Sequence, residues 1–141
     1  MTRSEKLANE LKRSIFEDPW HGASAMDILD GISVDQSLLK QIPNAHNIIE
    51  IVLHLTAWTK EILSRFNGNQ PSQPQMGDWP SPRDTTSEYW EKVKGDYFKA
   101  STELIEFLKS FPEEDLDKII GIERVPALGT GFSFEGLIAG L

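Results

Sequence analysis

A histidine stands inside the apolar run Ile48-Ile49-Glu50-Ile51-Val52-Leu53-His54-Leu55-Thr56-Ala57-Trp58. On a helix of ~3.6 residues per turn, His54 shares a face with Glu50 at i−4 and Trp58 at i+4. Glu61 falls close to the same line two turns further on. A neutral imidazole so placed can ligate a transition metal through one nitrogen while an acidic neighbour, Glu50, orients the ring. A closed centre needs roughly three or four ligands, and His21 and His46 are poorly spaced to supply them. The plain alternative is an inward-facing histidine satisfied by Glu50 on the preceding turn.

The remaining candidates divide by context. His46 falls in the first turn of the central helix, where an imidazolium would oppose the helix dipole, so it reads as a neutral surface or capping residue. His21, beside Trp20 in a turn, reads as a packing or hydrogen-bonding residue. Glu61 is expected to face water, as glutamates on amphipathic helices do. Trp58, Trp90 and Tyr97 recur at helical spacing and belong to a core, whereas Trp79 is expected to pin a loop against the helices. Gly129-Thr130-Gly131 lacks the lysine and following helix of a phosphate loop. No serine, histidine and aspartate set with a credible nucleophile context is present.

The chain has 141 residues, enough for one domain with a core and too few for two ordinary ones. Acidic residues outnumber basic ones 22 to 14, for a net charge of −8, which repels phosphate backbones and anionic lipids and argues against nucleic-acid or membrane partners. The absence of cysteine removes disulfides, thiolate ligands and a cysteine nucleophile together. Met1-Thr2-Arg3-Ser4-Glu5-Lys6 leads straight into a charged amphipathic pattern without a signal core or membrane span, so a cytoplasmic location is expected.

These residues need elements to hold them. Thr2-x-x-Glu5 resembles a capping box, and Leu7, Leu11 and Ile15 continue a helix over roughly 3–17, stopped by Asp18-Pro19. Trp20-His21-Gly22 reads as a turn. Ser24 caps a short helix holding Met26, Ile28 and Leu29, ended by Gly31, and Ser33 to Lys40 forms another turn of helix. The central helix runs from an Asn44 cap to Asn67-Gly68, with a stripe of Ile48, Val52, Leu55, Ile62 and Phe66 widened by Ile51 and Trp58. A Pro-rich loop covers 68–85. Thr85-x-x-Glu88 opens a second long helix carrying Trp90, Val93, Tyr97, Ala100, Leu104, Leu108 and Phe111, ended by Pro112. An irregular connection over 112–133 includes β-favouring Ile119-Ile120-Gly121-Ile122. Ser133 caps the start of a last helix over 134–141. So short a final helix cannot cover two stripes each roughly 30 Å long, so a second copy is expected to cover them.

Trp20-His21-Gly22, His46 to Trp58, Asp78-Trp79-Pro80 and Leu137-Ile138-Ala139-Gly140-Leu141 together resemble the DinB-like superfamily, also called the YfiT-like metal-dependent hydrolases. The resemblance covers nearly the whole chain. It implies an all-α, up-down four-helix bundle, commonly dimeric, whose fourth long helix is truncated or missing here. It also implies a divalent ion, zinc or nickel, held by three histidines, with His54 in the position of the first and Glu50 available to orient it. The other two belong to an H-x-x-x-H spacing on the last helix, expected beyond Leu141, so the metal site is expected to be incomplete in this chain. The implied activity is metal-dependent hydrolysis or thiol S-transfer on a small-molecule or thiol substrate. The alternative is a non-catalytic, self-associating helical module, so whether the chain is an enzyme stays open at this point.

Overall fold

A computed structural model of the chain describes residues 1–17, 22–120, 125, 128 and 130–140. Asp18-Pro19, Trp20, His21, Gly121-Ile122, Gly129 and Leu141, on all of which the sequence raised expectations, lie outside the described residues. The helices are α1 (Arg3–Phe16), α2 (Ala25–Asp30), α3 (Val34–Leu38), α4 (Ile48–Phe66), α5 (Ser87–Lys109) and α6 (Phe134–Ala139). A 3-10 turn at Glu113–Asp117 and two strands, β1 (Ile119–Ile120) and β2 (Phe132–Ser133), lie between α5 and α6. The class is all-α, as the resemblance implies. None of the described helices is long and apolar enough to cross a membrane.

Local chemistry sets the helix starts. All six described α-helices begin at a Ser, Thr or Asn whose side-chain oxygen accepts a backbone N–H of the first turn: Thr2, Ser24, Ser33, Asn47, Thr86 and Ser133. Two of these differ from expectation. The cap of α4 is Asn47 and not Asn44, because Asn47 has Glu50 three residues on. The Glu50 amide donates to Asn47 Oδ1 at 3.0 Å and the Asn47 amide to Glu50 Oε1 at 3.2 Å, a reciprocal box. Asn44 instead takes the left-handed turn before it, at φ 64°. The cap of α5 is Thr86 and not Thr85, whose own amide donates to Asp84 Oδ1 at 2.7 Å. At the other end of α4, Asn67 caps and Gly68 reverses the chain at φ 91°, where a side chain would be strained.

α5 lies between α1 and α4 and packs along both. Its stripe of Trp90, Val93, Tyr97, Ala100, Leu104 and Leu108 is buried, as the spacing predicts, and the Trp90 indole is satisfied by the Ile32 carbonyl at 2.8 Å. The buried face of α4 is turned from the expected one. Ile49, Val52, Leu53, Ala57, Ile62 and Phe66 face inward, while Ile51 is exposed and Ile48, Leu55 and Trp58 are half-buried. In a helix this apolar, periodicity alone does not choose the face; contact with α5 does. The stripes of α4 and α5 are buried against each other within the chain.

The connection expected to be irregular over 112–133 carries the 3-10 turn and an antiparallel ladder pairing Ile119 with Ser133 and Ile120 with Phe132. It brings α6 back against the end of α4, where Phe66, Phe111 and Phe134 form a cage with ring centroids 4.7 to 5.4 Å apart. Arg3 ties the start of α1 to this region through Asp117, at 3.0 and 3.1 Å, and through Glu135.

Leu104 is fully buried where the α5 stripe meets Ala8, Ile62 and Ile138. Leu104→Ala should therefore destabilise the fold by about 2 to 5 kcal/mol, and Asn47→Ala by about 0.5 to 2 kcal/mol through the lost cap. Urea denaturation followed by far-UV circular dichroism measures both.

Candidate functional site

The side of α4 away from α5 is covered by the 68–85 loop, which is fastened at two places. The first is a sandwich of rings. The Trp79 indole lies between His46 and His54, with centroids 3.6 Å from one and 3.8 Å from the other and interplanar angles of 3° and 10°. His46 sits just before α4 and His54 two turns along it, so the two imidazoles make a slot that the loop fills with its own indole. Gly77, at φ 95°, turns the loop after Pro74 so that Asp78 and Trp79 meet the helix.

Asp78 completes this contact. Its carbonyl accepts from His54 Nδ1 at 2.5 Å, and its carboxylate Oδ1 lies 3.4 Å from the same nitrogen. Oδ1 also accepts from the Trp58 indole N–H at 2.6 Å. Both oxygens facing Nδ1 are acceptors, so the ring proton resides there and, in the neutral ring, the lone pair is on Nε2. Glu50, expected to orient His54, is occupied elsewhere: it closes the cap of α4, meets His46 Nδ1 at 3.3 Å and faces Lys40 at 3.6 Å. The group that orients His54 is Asp78, 24 residues away in the chain.

The second fastening was not anticipated. Glu61, expected to face water, is buried, and so is Arg65 on the next turn. Arg65 Nε donates to Glu61 Oε2 at 2.5 Å, and the Ser72 amide and hydroxyl each donate to the Glu61 carboxylate at 3.1 Å. The Arg65 guanidinium also reaches the carbonyls of Ser72 and Leu128 and lies 5.7 Å from the centre of the Trp58 ring. The acidic-to-basic i,i+4 spacing was a visible signal for the pair; Ser72 and Leu128, its distant partners, left none. Between the two fastenings a cleft of about 450 Å³ opens, lined by Lys60, Glu61, Ser64, Ser72, Gln75 and Met76 among others.

For a divalent ion, His54 satisfies one coordination position, with Nε2 the available donor. His46 does not add a second, because the Trp79 ring separates the two parallel imidazoles. Among the described residues no group of three histidine, cysteine, aspartate or glutamate side chains could hold a metal. The described donors therefore fit one ligand of a centre and not a whole centre. His21 lies outside them.

Two predictions follow from these partners. Arg65→Ala leaves the Glu61 carboxylate buried without its cation and should cost about 3 to 5 kcal/mol in urea denaturation; Arg65→Lys should recover only part, since one ammonium cannot reproduce the guanidinium's divergent contacts. For Glu50, burial pushes the carboxyl up, but the Asn47 amide, the His46 ring and Lys40 outweigh it and hold the group below the ordinary carboxylate range. Its contribution to stability is thus full above that range and lost as the pH falls through and below it. Glu50→Gln should flatten the acid limb of a thermal-stability profile against pH.

No curated protein and no solved structure matches the chain. The DinB superfamily matches residues 20–138, a span that takes in α2 to α5, the ring sandwich, the Glu61–Arg65 pair and all but the last residue of α6. With most of its length matched in this way, the chain belongs to the DinB superfamily.

Proposed function

We propose that the protein is a metal-dependent hydrolase or thiol S-transferase in which His54 supplies one ligand to a divalent ion, zinc or nickel. The observation that carries this reading is the hydrogen bond from His54 Nδ1 to the Asp78 carbonyl. A ligating histidine has its second nitrogen held in this way by a carbonyl or carboxylate, which fixes the tautomer and aims the lone pair. Such an ion, when bound, lowers the pKa of a coordinated water or thiol toward neutrality. The chain's own residues prepare for it: Trp58 holds the Asp78 carboxylate, Asp78 holds the ring, and Trp79 keeps water from one ring face. The cleft beside Glu61 offers room for a small-molecule or thiol substrate. The further donors come from outside the described residues, and a homodimer is part of the proposal.

Calorimetric titration of the full chain with zinc and with nickel tests this. Binding should weaken at least tenfold in His54→Ala and by a smaller factor in Trp58→Phe, which frees the Asp78 carboxylate. Undiminished binding in His54→Ala would overturn the assignment.

One observation favours a second reading, a non-catalytic self-associating module. Leu39 and Ile42, at 55% and 68% exposure, leave large apolar side chains in water near the start of α4, as does Ile51, and Ile28 of α2 is 56% exposed. Light scattering should then give a dimer mass that Ile42→Glu converts to a monomer. A monomer at every concentration sinks this reading.

A further inference from the structure

The core is not filled where α1, α4 and α5 converge. A pocket of about 200 Å³ remains there, bordered mainly by Leu11, Ile15, Leu55, Tyr97, Ser101 and Leu104 and open to solvent beside the exposed Ser14. It shares no residue with the ring sandwich or the Glu61 cleft. Its walls are mainly apolar, and the hydroxyls of Ser14, Thr59, Tyr97 and Ser101 are the polar side-chain groups among them. Apolar cavities of about 150 Å³ admit benzene, so this one has room for a single aromatic ring with a substituent.

One polar atom in the wall is unanswered. Ser101 is 1% exposed and its Oγ has no hydrogen-bond partner. It stands one turn beyond Tyr97, near enough to the phenol to oppose the rise that burial gives Tyr97 ionisation, yet no hydrogen bond of ordinary geometry satisfies Ser101 itself. Buried hydroxyls are nearly always paired, because an orphan forfeits its hydration without replacement. A guest carrying one polar atom would fill the space and supply the missing partner.

We propose that this cavity is a binding site for a small, largely apolar molecule, about one aromatic ring in size, whose single polar atom hydrogen-bonds Ser101. Phenol and toluene are suitable probes, being alike in shape and differing in a hydroxyl against a methyl. In amide-resolved NMR titrations of the full chain, both should produce saturable shifts centred on Leu11, Leu55, Tyr97 and Leu104. Ser101→Ala exchanges an unpaired hydroxyl for nothing the fold depends on and should fold as the parent does. In it, the affinity of phenol relative to toluene should fall roughly three- to tenfold, the worth of one hydrogen bond. Ser101→Leu should fill the space and abolish binding of both. The proposal is overturned by an absence of saturable shifts in the parent, by shifts centred elsewhere, or by a phenol-to-toluene ratio that Ser101→Ala leaves unchanged. It is equally overturned if a folded Ser101→Leu protein still binds either probe.

Discussion

α4 must satisfy two neighbours at once, and the rest of the molecule is arranged around that constraint. One face supplies Ile49, Val52, Leu53, Ile62 and Phe66 to the core it shares with α5. The other carries a histidine, a glutamate and an arginine, which cannot be left against an apolar surface without partners. The long loop answers them, and its irregular backbone is what makes this possible: carbonyls and amides unused in helices or strands are free to meet side chains. Asp78 gives its carbonyl to His54, and Ser72 gives its amide to Glu61. A second helix laid over this face would have had its backbone groups already committed.

The elements were largely readable from the residues, because caps and stripes are local chemistry. Thr2, Ser24, Ser33 and Ser133 all cap where their positions suggest, and the α5 stripe is buried as spaced. Asn44 misled because asparagine serves both as a helix cap and as a left-handed turn residue, and only the glutamate three residues beyond Asn47 separates the two. The α4 face misled for another reason. With isoleucines at 48, 49 and 51 and leucines at 53 and 55, several rotations of the helix bury similar apolar area, and the choice belongs to packing.

The candidate site was legible in its central residue and not in its surroundings. His54 stood out because an ionisable ring in an apolar run demands an explanation. Its partner was sought on the same helix, at Glu50, since neighbours three and four residues away are the only proximities a helical pattern reveals. The true neighbours, Asp78 and Trp79, arrive from a loop with no periodicity to place them. The charge balance was likewise silent about Glu61 and Arg65, because burial of an ion pair depends on what covers it.

The two fastenings also change what the prolines and length of the loop mean. A segment this long would ordinarily be an easy target for proteases and a tolerant place to insert residues. Here Ser72 and Trp79 divide it into short spans, each anchored at both ends, which limits the excursions needed to enter a protease cleft. Nicking and tolerated insertions are thereby confined to the stretch after Pro80, where the described backbone is exposed and carries few ties to the helices. That stretch, and not the middle of the loop, is where the chain could be opened or lengthened without disturbing the rings that hold His54.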